Sequence, residues 1–321
     1  MKAAVAPTDE RWAEFLAAEP DLVEANFWQP SASGQFRLLQ IGEPFLFKTK
    51  SPKRGRTFGR WGPNQLVGGG FFSGYEHLSI GEAWDLFGRG NGVASLAELV
   101  ERIASFRRPG ETDTATQIGC VLLRNLFFMP PDRAIPQPDD FASNLTRARG
   151  YDLSASGRHV DVMFGAMLDR AEVRLDEALF KSADRGDPVE FRQRLVSQRL
   201  GQRAFQARVL TSYARQCAIT SNHIVPTLEA AHIRPAADGG SHLVSNGLLL
   251  RSDVHTLFDR GFLGINERYE LQVSPLLAET WGNGTEFYAR AGRAITVPAA
   301  REHRPSRESI AWHMDTVFGP R

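Results

Sequence analysis

The stretch AAHIRPAADGGSHLVSNGLLLRSDVHTLFDRG, residues 230–261, narrows what this chain can fold into more than any other segment. LEAAHIRP reads as a short strand, AADGGSHLVSN as a loop of turn-forming residues, and GLLLRS as a second strand. SDVHTLFDRG then reads as a helix, with Ser252 as its N-cap and Gly261 just past its end. Strand, loop, strand and helix between residues 228 and 261 make a compact unit that must bury one face against neighbouring chain.

Four polar side chains recur at fixed places in that unit. His232 ends the first strand, Asn246 sits where the loop meets the second, and His255 and Asp259 stand on the helix. Phosphodiester hydrolysis needs a base to activate water and a cation to stabilise charge on the phosphate and the departing oxygen. A histidine of near-neutral pKa suits the first task. His255 and Asp259 at i and i+4 lie one turn apart on one helix face, a spacing that holds a divalent ion between imidazole and carboxylate. An amide at position 246 can bridge backbone groups and fix the loop. Singly, each residue is as well read as a packed histidine, a turn or a capped surface pair; their combination in this order points to chemistry. His223 and His242 lie nearby and are not counted in the set, and Cys217 reads as core.

The pattern AAHI-P, NGLLL, H-LFD-G resembles the HNH, or ββα-metal, nuclease motif. GQRAFQARVLTSYARQCAITS is similar to the lead-in of that family and RPSRESIAWHMDTVF to its tail, so the resemblance spans residues 189–321. It implies His232 as general base, Asn246 as orienting residue and His255 as metal ligand, with Asp259 where related nucleases place another ligand. Many members carry Asp or His immediately before the base, where this chain has Ala231. That departure favours loosely held Mg²⁺ or Mn²⁺ over tight zinc.

With 321 residues the chain has room for a second core. Its apolar runs all fall short of the roughly 20 residues a membrane span needs. The N-terminus does not read as a secretory signal, and two distant cysteines give neither a zinc ribbon nor a disulfide framework, so a cytoplasmic location is expected. The net charge of +1 conceals two acid-free basic runs: KTKSPKRGRTFGR (48–60) and FRQRLVSQRLGQRAFQARVLTSYAR (191–215). Together they favour a polyanionic partner.

The first half predicts strands over 43–48, 64–72 and 117–128, and amphipathic helices in IGEAWDLFG and SLAELVERIASF. A helical run over 158–183 closes at RGDP, giving expected domains 1–155 and 189–321 joined by a helical linker, 156–188. IGEPFLFK followed by LVGGGFF resembles the PUA-like superfamily, nearest to EVE-type domains, over residues 24–150. The fold class expected is therefore α+β: an N-terminal PUA-like β-barrel domain with flanking helices and a C-terminal ββα-metal domain.

EVE-like domains are similar to readers that take a modified base into an aromatic pocket, where stacking holds it. Trp28, Trp61, Phe72 and Tyr75 are the pocket candidates, and Lys50, Lys53, Arg54 and Arg56 the phosphate contacts beside them. The combined expectation is a modification-dependent endonuclease acting on double-stranded DNA that carries 5-hydroxymethyl- or 5-methylcytosine. A double-strand cut by one-metal sites suggests a homodimer. Two other readings stand beside it: an HNH nuclease whose first domain reads unmodified sequence or RNA, and a modified-base-binding protein whose nuclease half has decayed.

Overall fold

The computed structural model describes residues 2–19, 21–52, 59–142, 144–153, 160, 163–167, 202–235 and 238–319. The chain divides into two compact units, Met1–Val196 and Ser197–Arg321.

The first unit is built from β1 (Lys2–Pro7), α1 (Glu10–Ala17), β2 (Glu24–Gln29), β3 (Pro44–Lys48), β4 (Gln65–Ser79), α2 (Ile80–Phe87), α3 (Leu96–Ala104), β5 (Gln117–Phe128), β6 (Ile135–Pro136) and β7 (Arg149–Asp152). The sheet runs β2-β5-β4-β3-β1-β7, with β6 pairing β4 off this path. β1 and β3 are parallel, and the other pairs are antiparallel. Among the described residues no ladder joins β2 to β7.

β3 shows why the sheet sits between two cores. All five of its residues are buried. Phe45 and Phe47 join Trp12, Ala25 and Val121 on one face, while Leu46 joins Val5, Leu66 and Phe127 on the other. A strand covered on both sides reads as a continuous apolar run instead of an alternating one. β4 extends past the expected 64–72 to Ser79 and bulges at Gly69/Phe71 and Phe72/Gly74, which bends it along β5. α2 starts from a capping box in which Ser79 and Glu82 satisfy each other's backbone N–H groups. The α+β class is as the sequence predicts. Of the expected 158–183 helix, most lies outside the described residues; Val160, Phe164 and Met167 are buried in the core under Leu46.

The second unit comprises α4 (Gln202–Ser212), β8 (Leu228–His232), β9 (Gly247–Arg251), α5 (Ser252–Asp259), β10 (Leu263–Ile265), β11 (Leu271–Val273), α6 (Leu276–Trp281), α7 (Thr285–Tyr288) and α8 (Arg307–Thr316). β8 and β9 form an antiparallel hairpin in which His232 pairs with Gly247. A Cβ at Gly247 would lie 2.7 Å from Val209 Cγ2 and 2.9 Å from Phe205 Cζ, so glycine there lets α4 pack onto the hairpin. Gly261 ends α5 at φ 75°, as expected. Ser252 is the first helical residue instead of the N-cap: Arg251 takes that place in extended conformation, its guanidinium bound to the Asp253 carboxylate at 2.6 and 2.8 Å. α8 docks on α5 through His313, which stacks on Phe258 at 3.8 Å and donates from Nε2 to the Phe258 carbonyl at 3.1 Å.

Candidate functional site

The hairpin and α5 bring together all four polar residues singled out in the sequence. His232 closes β8, and its ring lies flat on Phe205 of α4, centroids 4.0 Å apart and planes 10° from parallel. Its Nε2 is 2.9 Å from Nδ1 of His242. Burial pushes the His232 imidazole down to about 4, and the His242 and His255 charges act in the same direction. The ring is therefore neutral at physiological pH and able to take a proton.

Asn246 is buried, 2% exposed, and works on the loop. Its Oδ1 accepts from the Arg234 backbone N–H at 3.0 Å, and its Nδ2 donates to the carbonyls of Arg234 and Ser241, both at 2.8 Å. One amide thus ties the start of the loop to its end.

On the exposed side, His255 lies between two carboxylates. Its Nδ1 is 2.7 Å from Glu229 Oε2, and its Nε2 is 3.3 Å from Asp259 Oδ2. Burial raises the Asp259 pKa, opposed by His255 and reinforced by Glu229. Among the described residues no group of three or more His, Cys, Asp or Glu side chains is gathered as a ligand cluster. The donor set nevertheless fits a hard divalent ion held by few protein ligands. Neighbouring donors on an ion with 2.1 Å bonds stand roughly 3 Å apart, close to the His255–Asp259 separation. A ligating imidazole commonly gives its other N–H to a carboxylate, the relation Glu229 has to Nδ1. Among the described residues the pairs around His255 offer one imidazole and two carboxylates, a set richer in oxygen than a structural zinc site.

The first unit carries an open cavity of about 1330 Å³, and Trp28, Phe36 and Phe106 are among the residues lining it. Trp28 is half-buried, and its indole N–H donates to the Asn91 carbonyl at 3.1 Å. The Phe106 ring meets it edge-on at 6.1 Å and is 58% exposed. Arg37, Lys50 and Arg147 are also among the cavity's lining residues and supply positive charge. Lys50 is paired with Asp9 at 3.3 Å.

Of the four expected pocket aromatics, Trp28 alone lines this cavity. Trp61 is 1% exposed and donates its indole N–H to the Met129 carbonyl at 3.0 Å. Phe72 is 5% exposed and packs against Phe36. Both belong to the core, because the sheet covers their rings and Trp61 already has its partner inside. Tyr75 stands one ring behind the wall, stacked on Phe36 at 6.4 Å. Lys53, Arg54 and Arg56 lie outside the described residues. In the second basic run Arg208 is buried in α4, so it does not belong to a phosphate-facing surface.

Glu229 and Phe205 escape the sequence reading, and His242 is noted there but set aside. Glu229 shares a strand face with Ala231 by the two-residue alternation of β8, and that signal was available. His242 sits in an irregular loop where no periodicity marks it. Phe205 looks like any core aromatic until His232 is found lying on it.

Residues 217–266 match the HNH endonuclease family, and that segment contains His232, Asn246, His255 and Asp259. No curated protein sequence matches the chain. Among solved structures, the ASCH protein of Zymomonas mobilis is similar at 12% identity and TM-score 0.32, covering 50% of this chain and 94% of its own. A structure described as the modification-dependent TagI restriction endonuclease is similar at 12% identity and TM-score 0.29, covering 90% of this chain and 79% of its own.

Proposed function

With an HNH endonuclease domain at residues 217–266 as premise, we propose that the chain is a modification-dependent DNA endonuclease. Residues 1–155 hold a modified cytosine (5-hydroxymethyl- or 5-methylcytosine), 156–188 link, and 189–321 hydrolyse the phosphodiester. The observation that carries the reading is His232, its ring stacked on Phe205 at 4.0 Å, in one hairpin–helix unit with the His255–Asp259 pair.

In this reading His232 takes a proton from the attacking water, which its neutral ring permits at physiological pH. Asn246 keeps the loop closed so that the base does not drift. His255 Nε2 and Asp259 would hold Mg²⁺ or Mn²⁺, with Glu229 orienting His255 through Nδ1. The ion, when bound, supplies positive charge for the phosphate and the leaving oxygen. A cut in both strands calls for two protomers, each supplying one such site. Among the described residues no helix is long and apolar enough to cross a membrane. Action on incoming modified DNA, such as phage DNA, would place the protein in the cytoplasm.

For the first unit, Trp28, Phe36 and Phe106 provide ring faces and edges for an extruded base, with Arg37, Lys50 and Arg147 toward its phosphates. The test uses the full chain carrying His232→Ala, so that binding is read without cleavage. Duplexes identical but for cytosine, 5-methylcytosine or 5-hydroxymethylcytosine are titrated in calcium. Tighter binding of one modified duplex supports the proposal; equal binding of all three overturns it and favours a reader of unmodified sequence.

A further inference from the structure

We infer that His242 is a positioning residue for the hydrolytic reaction: its Nδ1 accepts a hydrogen bond from Nε2–H of His232 and so leaves Nδ1 of His232 as the nitrogen that takes the proton from water. The inference rests on the reading of His232 as the base.

The two rings meet nitrogen to nitrogen at 2.9 Å, a hydrogen-bond distance, with their planes 74° apart. Burial lowers the pKa of both, so at neutral pH each ring carries one proton and a single proton lies between them. Only two arrangements satisfy that count. If His242 donates, Nε2 of His232 is the acceptor and its one proton sits on Nδ1. Such a ring offers water a donor and cannot act as a base. If His232 donates from Nε2, its Nδ1 keeps a free lone pair. Among the described residues no hydrogen bond involves His232 Nδ1, so that nitrogen is the one open to a water molecule.

The surroundings hold this pair in place. Phe205 lies against the His232 face at 4.0 Å and meets His242 edge-on at 5.8 Å, which resists rotation of either ring. Asn246 donates to the carbonyl of Ser241, the residue before His242, so the amide that closes the loop also sets where His242 stands. The orienting role thus passes from Asn246 through the loop to His242 and then to the base. A histidine kept only for packing would fill the same space without fixing a tautomer.

The experiment reads the tautomer directly. Full-length protein with ¹⁵N-labelled histidine is examined without metal at pH 7.5 by long-range ¹H–¹⁵N correlation, with His232→Ala identifying the resonances. The expected spectrum shows His232 protonated on Nε2; protonation on Nδ1 overturns the inference. Two variants extend the test. In His242→Asn the Oδ1 occupies the place of Nδ1, three bonds from Cα, and still accepts; it should keep the tautomer and lie within about fivefold of wild-type turnover, taking roughly one hydrogen bond's net worth as the margin. In His242→Leu the buried N–H of His232 has no acceptor, the proton moves to the solvent-facing nitrogen, and turnover falls about tenfold or more with DNA affinity unchanged. Equal loss in folded His242→Asn and His242→Leu contradicts the inference, and so does a His242→Leu protein of normal turnover. Should His242→Leu fail to fold, the wild-type spectrum and the Asn variant still decide. Normal cleavage by His232→Ala would instead defeat the assignment of the base, a separate result.

Discussion

Replacing Asn246 by alanine removes three hydrogen bonds at once, and the structure allows the loss to be sized. The Arg234 N–H and the carbonyls of Arg234 and Ser241 each lose their partner in the buried amide. A buried polar group left unpaired costs about 1–3 kcal/mol. Arg234 and Ser241 are only partly buried, so water replaces some of these bonds and the low end applies to each. The expected loss is about 3 kcal/mol, a large share of the roughly 5–15 kcal/mol that stabilises a typical domain. Asn246→Asp is informative beside it. The carboxylate keeps the acceptor for Arg234 N–H but turns an oxygen toward two carbonyls 2.8 Å from the present donor, so it should do at least as much damage. Urea unfolding followed by far-ultraviolet circular dichroism gives the stability, and hydrogen exchange at the Arg234 amide reports the loop itself. A loss under about 0.5 kcal/mol for Asn246→Ala, well below one unpaired group, would refute the reasoning.

Three further outcomes follow from the same geometry. Chelation by EDTA should stop cleavage and Mg²⁺ or Mn²⁺ restore it, with His255→Ala more damaging than Asp259→Ala because His255 alone joins Glu229 to Asp259; full activity in chelator contradicts the metal site. Trp28→Ala should cost roughly 1–3 kcal/mol of modified-duplex binding and, because its half-buried ring packs on the core and donates to the Asn91 carbonyl, a smaller loss of stability than Trp61→Ala. Trp61→Ala should instead cost about 3–5 kcal/mol of stability, and the reverse pattern would return Trp61 to the pocket. Burial holds His313 at about 4 in the folded protein, below its ordinary 6.5. The unfolded chain then binds more protons between these values, so on the order of 3 kcal/mol, fully present above pH 6.5, is lost as pH falls toward 4. Urea midpoints at pH 7.5 and 4.5 should differ more for wild type than for His313→Phe; equal slopes contradict this.

The second unit was legible because the pattern that marks its site is local. Helical spacing of His255 and Asp259, alternation along β8 and the Gly261 stop all act within a few residues. The Ser252 cap failed for a local reason too, since Arg251 is held by Asp253 and takes the cap position itself. The pocket was less legible because burial of an aromatic is decided by strands far away in sequence. Trp61 stands in polar company along the chain, yet its indole finds Met129 on the far side of β5. Phe36 and Phe106 carry no sequence mark that separates them from the other phenylalanines. β1 and β7, which flank β3 on one side, are short runs whose pairing only the folded sheet defines.

The central claim joins a reader of modified bases to an HNH cutter, and cleavage tests it most directly. The full-length protein with Mg²⁺ is given three plasmids of one sequence, carrying cytosine, 5-methylcytosine or 5-hydroxymethylcytosine throughout. The account predicts that a modified plasmid is cut, that the unmodified one survives, and that His232→Ala cuts none of them. Equal cleavage of all three plasmids by the wild-type protein would contradict it.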